Sequence, residues 1–154
     1  MSGLDRFTAL PPFARLTPAE TLVLQRATRE VAFAEGERLC AEGHPADRLW
    51  VLESGRVAVD TGVPGRGDVV VQTLGPGELL GWSWLVPPYR WDFGARALTP
   101  VTAAELDGPL LRRLAEADPA FGFALTRALF EVLAHRIRGT RARLLDLYRS
   151  GHER

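Results

Sequence analysis

Residues 75–98, GPGELLGWSWLVPPYRWDFGARAL, gather the side chains best suited to recognition chemistry. They hold three of the four Trp, three of the eleven Pro and four Gly. Loops longer than about 12 residues without secondary structure are usually functional or disordered, and a Trp-rich segment is a poor candidate for disorder. The chemistry on offer is binding rather than bond-making. Arg90 can hold an anion by charge-assisted hydrogen bonds, or stack its guanidinium on Tyr89 and Trp91. Trp82 and Trp84 either sandwich a planar ligand or plug the pocket that would receive it. Ser83 offers an N–H and a hydroxyl to an anion, or simply caps a helical turn. The loop is therefore either a ligand cassette on a β scaffold or an apolar flap closing the end of a β core.

Outside this loop little suggests catalysis. His44, His135 and His152 are scattered without metal-ligand spacing, so no metal site is expected. There is no G-x-S-x-G, no phosphate-binding P-loop and no Cys–His pairing near the loop. Asp92 is the only acid in the loop after Glu78, and one carboxylate is a thin basis for acid–base work. The single Cys, Cys40, lies in the alternating stretch ERLCAEG and reads as a small half-buried residue. The chain is expected not to be an enzyme and to need no cofactor.

The elements that must position the loop follow from pattern. The chain has 154 residues, a length suited to one domain, with 46% hydrophobic and 25% charged residues. Its formal net charge is zero, so no overall field draws it to nucleic acid or an anionic membrane. All nineteen basic residues are Arg. One Cys excludes an intrachain disulfide and fits a reducing, cytoplasmic setting. No apolar run reaches the length of a membrane span, and MSGLDRFTALPPF lacks the layout of a signal peptide.

Residues 4–10 suggest a short helical turn stopped by Pro11-Pro12. Thr17-Pro18-Ala19-Glu20 is a capping-box start for a helix over about 18–27. From residue 28 the period changes to alternation. Seven or eight short strands follow at about 8–12-residue spacing, each bounded by turn residues, with a tight hairpin expected across Ser54-Gly55. This predicts an eight-stranded antiparallel jelly-roll barrel over about 28–106. Two helices follow over about 108–148: Asp107-Gly108-Pro109 starts a short one, and Asp118-Pro119 a long one. The long helix carries apolar residues from Phe121 to Leu147 at steps of three and four. It exceeds what the barrel needs for cover, so part of its face is expected to pack on a second copy, giving a homodimer. Six Arg in the last twenty residues (136, 138, 141, 143, 149, 154) read as the solvated side of that helix.

One helix, a small β barrel, then a short and a long helix resemble the cyclic-nucleotide-binding domain of the catabolite-activator (Crp/Fnr) type. Local stretches carry the resemblance from about Phe13 to Tyr148: Phe13-Ala14-Arg15-Leu16-Thr17 at the start, Glu35-Gly36-Glu37 with Cys40-Ala41-Glu42-Gly43, and Leu49-Trp50-Val51-Leu52-Glu53-Ser54-Gly55-Arg56-Val57. Leu74-Gly75-Pro76-Gly77-Glu78-Leu79-Leu80-Gly81 is similar to the lead into the family's phosphate cassette, and Arg96-Ala97-Leu98-Thr99-Pro100-Val101-Thr102 to the strand after it. In such proteins a cassette helix and an Arg hold the cyclic phosphate, while a Glu takes the ribose hydroxyl. Aligning Gly81 with the cassette Gly puts Trp82 at that Glu and Trp91 at that Arg, with Arg90 one residue away. The resemblance also brings Thr140 toward a bound base.

The resemblance implies a single-domain regulatory sensor, with no DNA-binding domain and no DNA binding by this chain alone. It would bind a small anionic ligand, cyclic AMP or cyclic GMP being the familial candidates, and signal through its C-terminal helix. The expected site is Gly81, Trp82, Ser83, Trp84, Arg90 and Trp91. The alternative is a degenerate member whose Trp-filled pocket leaves a dimerisation or interaction module.

Overall fold

The structure is a computed structural model and describes residues 13–152; the helical turn expected at 4–10 lies outside them. A 3-10 turn, Phe13–Arg15, buries Phe13 and leads into helix α1, Pro18–Arg26. Both arms of the capping box form: the Glu20 N–H donates to Thr17 Oγ1 at 3.2 Å, and the Thr17 N–H donates to Glu20 Oε1 at 3.0 Å. Two orphan amides of the first turn are thereby satisfied.

Eight strands follow: β1 Thr28–Phe33, β2 Arg38–Cys40, β3 Arg48–Ser54, β4 Val57–Val63, β5 Gly67–Leu74, β6 Leu79–Leu80, β7 Gly94–Ala97 and β8 Val101–Asp107. They form two four-stranded antiparallel sheets, ordered β1-β8-β3-β6 and β2-β7-β4-β5. Among the described residues the hydrogen bonding gives these two sheets and not one closed barrel. Buried residues of both sheets, among them Leu49, Leu52, Val57, Leu74, Ala95 and Leu106, share a single core.

The hairpin expected across Ser54-Gly55 does not form. β3 pairs with β6 and β8, whereas β4 pairs with β5 and β7, so residues 55–56 carry the chain from one sheet to the other. Gly55 has φ 86°, and a Cβ there would sit 2.3 Å from the Pro100 carbonyl oxygen. The Arg56 N–H donates to Thr99 Oγ1 at 3.0 Å, and the Leu98 N–H to the Arg56 carbonyl at 2.8 Å. The turn residues are thus held by the β7–β8 connection rather than by each other.

Two buried carboxylates in the sheets, Glu105 and Asp60, are matched. Glu105 on β8, 7% exposed, accepts from Arg29 Nε and Nη2 at 2.9 and 2.6 Å and from Trp50 Nε1 at 2.9 Å. Asp60 accepts from both terminal nitrogens of Arg38, at 3.1 and 3.0 Å. A carboxylate with this many donors offsets its desolvation.

Helix α2, Gly108–Ala117, is capped by Asp107, whose Oδ1 accepts from the Leu110 N–H at 3.0 Å. Helix α3 runs unbroken from Pro119 to His152, 34 residues, or about 50 Å at 1.5 Å per residue. Its first half buries Phe121, Leu125, Ala128 and Leu129 against the core, and Arg15 pairs with Glu131. From Ile137 to Gly151 every residue is exposed. Among the described residues, no helix is long and apolar enough to cross a membrane.

Candidate functional site

The 75–98 loop is built outward from β6. Gly81 has φ 105°, a left-handed value that favours glycine, and a Cβ there would approach the Arg48 carbonyl oxygen to 2.8 Å and the Trp91 ring to 3.1 Å. The following residues make one 3-10 turn, Ser83–Leu85. A turn this short carries little helix dipole to offer an anion. After the cis Pro87–Pro88 peptide the chain returns through Tyr89, φ 57°, and is tied to the β2–β3 loop. The Ala46 N–H donates to the Tyr89 carbonyl, the Trp91 N–H to His44 and the Gly43 N–H to Trp91, all at 2.8–2.9 Å. Pro45 and Arg90 form an isolated bridge.

This frame sends the expected site residues in different directions. Trp84 is fully buried; its Nε1 donates to the Gly81 carbonyl at 3.0 Å, and its side chain sits so close to α2 that a Cβ on Gly108 would lie 2.6 Å from the Trp84 Cβ and 2.8 Å from the ring. Trp91, 4% exposed, stacks on Trp50 at 5.7 Å between centroids. Both indoles belong to the core. Ser83 is buried, and its Oγ meets no hydrogen-bond partner. Arg90 is exposed and donates from Nη1 to the Gly43 carbonyl at 2.9 Å. Of the six, Trp82 lines the cavity beside the loop.

That cavity, about 540 Å³, lies between the loop, the β4–β5 sheet and α3. Val59, Val71, Gln72 and Leu80 form the sheet side, Trp82 and Phe93 the loop side. Leu133, Arg136, Ile137, Thr140, Arg141 and Leu144 form the helix side. Its volume falls in the range of small-molecule sites. Trp82 and Phe93 lie 6.3 Å apart at 56°, and Phe93 lies 6.3 Å from Trp91. An aromatic chain therefore runs from the core at Trp50 to the cavity wall. No Asp or Glu lines the cavity among the described residues, while two arginines do. Burial lowers the pKa of Arg136, and the field of Glu78 opposes the shift; an arginine keeps its charge regardless.

The arrangement suits binding of a flat anion and offers no acid–base pair. Cys40, behind this wall, has its thiol pushed up to about 12, chiefly by burial, so it is protonated near neutral pH. Among the described residues, no group of three or more His, Cys, Asp or Glu could hold a metal ion.

Thr140, placed near a ligand by the family resemblance, does line the cavity. Arg136 was legible only as one Arg of a solvated run. The available signal was its place beside Leu133 and Ile137 on the apolar stripe of α3. Val59 gave no distinguishing signal, since it alternates like any core-facing strand residue, and Phe93 gave none beyond its place in the aromatic loop.

Comparison with known proteins follows the same outline. Residues 30–118 match the family model of the cyclic nucleotide-binding domain. A CRP-like cAMP-activated global transcriptional regulator of Mycobacterium tuberculosis is 29% identical over 135 residues, covering 88% of this chain and 58% of the regulator. The chain thus spans under two thirds of that relative. The N-terminal domain of a transcriptional regulator from Streptomyces coelicolor superposes with a TM-score of 0.69 and 31% identity, over 91% of this chain and 95% of that one. A cyclic nucleotide-binding domain from Methylobacillus flagellatus superposes with a TM-score of 0.80 at 23% identity, over 94% and 82% respectively, a likeness of fold.

Proposed function

This chain belongs to the cyclic nucleotide-binding domain family, and on that premise we propose that it is a regulatory module that binds a small anionic ligand beside Trp82 and signals through α3. The observation that carries this reading is the cavity itself. It is largely apolar on the sheet side and aromatic on the loop side, bears two arginines on the helix side, and among the described residues has no lining carboxylate. A cyclic nucleotide has matching chemistry: a flat base, a sugar and one negative charge.

The cavity also supplies a route for a signal. Ile137, Thr140 and Leu144 line it, and they sit on the exposed half of α3. A ligand that touches both the loop and α3 favours whichever helix position makes both contacts, and shifts the population accordingly. On α3, Phe123, Phe130, Ile137 and Leu144 recur every seven residues and are 52–69% exposed. That is the repeat of a coiled-coil seam. A second copy of this chain is the occupant it fits, because each copy presents the same apolar line to the other. Ligand and dimer would then share Ile137 and Leu144.

A second reading draws support from Trp84 and Trp91, whose buried indoles occupy the interior beneath the cassette. On that reading the module dimerises without a ligand. Isothermal titration with cyclic AMP, cyclic GMP and other nucleotides separates the two. Heat that disappears in Trp82→Ala supports the sensor. No heat with any of them, for a folded dimer, leaves the interaction module.

A further inference from the structure

We propose that the negative charge of the ligand is held by Arg136 of α3 and not by the 81–91 loop. The inference rests on the ligand-binding reading above and assigns the charge within it. The loop has no cation to give. Trp91, at the register position of the family's phosphate arginine, is stacked on Trp50 in the core. Arg90 is spent on the Gly43 carbonyl, outside the cavity.

Four arginines are half-buried among the described residues: Arg38, Arg48, Arg112 and Arg136. Three have acceptors. Arg38 bonds Asp60, Arg48 lies 3.3 Å from Glu105, and Arg112 donates to the Trp84 carbonyl at 2.9 Å. Arg136 has no hydrogen bond and no ion pair within 4.0 Å among these residues. Its nearest influential acid, Glu78, takes the Gly75 N–H at 2.6 Å. A guanidinium withdrawn from water without an acceptor is costly, and an anion in the cavity would supply the missing partner. A second α3 would not. Along the seven-residue repeat the positions flanking the seam include Arg127, Ala134, Arg136, Arg141 and Arg143, with no carboxylate.

Across the cavity, the rings of Trp82 and Phe93 line the wall, 6.3 Å apart between centroids. The ligand class this geometry takes is an aromatic ring bearing one anionic group. Its ring would lie on the loop side and its charge on the helix side.

The test uses a pair of probes that differ only by the sulfonate group: 1-anilinonaphthalene-8-sulfonate and the neutral N-phenyl-1-naphthylamine. Affinities are measured on the full chain by fluorescence titration. The wild-type protein should bind the sulfonate at least about tenfold more tightly, as a hydrogen bond to a charged group implies. Arg136→Gln should abolish the preference, Arg136→Lys should restore most of it, and Arg90→Gln should leave it unchanged. Unchanged thermal melts establish that the variants fold. No sulfonate preference in the wild type overturns the assignment, as does a preference that survives Arg136→Gln or is lost in Arg90→Gln. Failure of cyclic nucleotides to bind strikes the sensor reading instead, since the sulfonate pair reports on Arg136 without them.

Discussion

The indole of Trp91 stacks on that of Trp50 with ring centroids 5.7 Å apart and planes 23° apart. Trp50 Nε1 in turn donates to Glu105, the carboxylate that gathers Arg29 and Arg48. Trp91, which the resemblance aligns with the family's phosphate arginine, is therefore part of a core stack anchored to the buried carboxylate of an ion cluster. It follows that Trp91 and Trp82, nine positions apart in one loop, do different work. Trp91→Ala should cost about 3–5 kcal/mol of stability, the usual range for emptying a buried aromatic site. Trp82→Ala, at a half-buried wall position, should cost about 1 kcal/mol or less while weakening ligand binding. Urea denaturation of the two variants, with titration of the second, checks the contrast; equal destabilisation would contradict it.

The seam on α3 gives a second expectation. Ile137 and Leu144 are 69% and 52% exposed, so a charge at either position meets water in one copy and an apolar partner in two. Ile137→Asp and Leu144→Asp should each convert a dimer to a monomer in sedimentation velocity at micromolar concentration. Neither should move the unfolding midpoint of the sheets by much, because the buried first half of α3 is untouched. A wild-type protein that sediments as a monomer would remove the basis for the seam.

Cys40 yields a pH dependence. Its folded pKa, about 12, lies above the ordinary value of 9.0 because burial disfavours the thiolate, although Arg38 opposes the shift. The folded state thus holds the proton more tightly than the unfolded chain. The stability this confers is complete below about pH 9 and is lost as pH rises toward 12. It amounts to a few kcal/mol at most, on the order implied by the shift. Cys40→Ala lacks the component, so its denaturation midpoint should fall less than that of the wild type across that window. Parallel curves would place the thiol in a more solvated setting. Alkylation of native Cys40 should be slow near pH 8 and fast in denaturant.

Much of the fold was legible because its signals are local. Thr17 and Glu20 lie within one turn, as do Asp107 and Leu110, so their caps could be read and do form. Except for β6, which lies inside the aromatic loop and was not expected, the strands fall near the expected stretches because alternation and turn residues act over a few positions. The Ser54-Gly55 hairpin failed because the same local signal fits both a hairpin and a crossing between sheets. What decided it was the Pro100 carbonyl against Gly55, a contact from residues more than forty positions away.

The site divides along the same line. The sequence by itself determined that residues 75–98 hold the unusual aromatic loop and that helices flank the sheets, and its resemblance to the family set Trp82 and Trp91 at the expected positions of the cassette Glu and Arg. The first two follow from residue type and order alone. Which indoles fill the core, which one faces the cavity, and which arginine is left without an acceptor were decided only by the tertiary structure. Trp82 and Arg136 are neighbours because α3 folds back over the sheet that carries the loop. A guanidinium is free or spent according to acceptors brought from other elements, and no spacing along the chain encodes those distances.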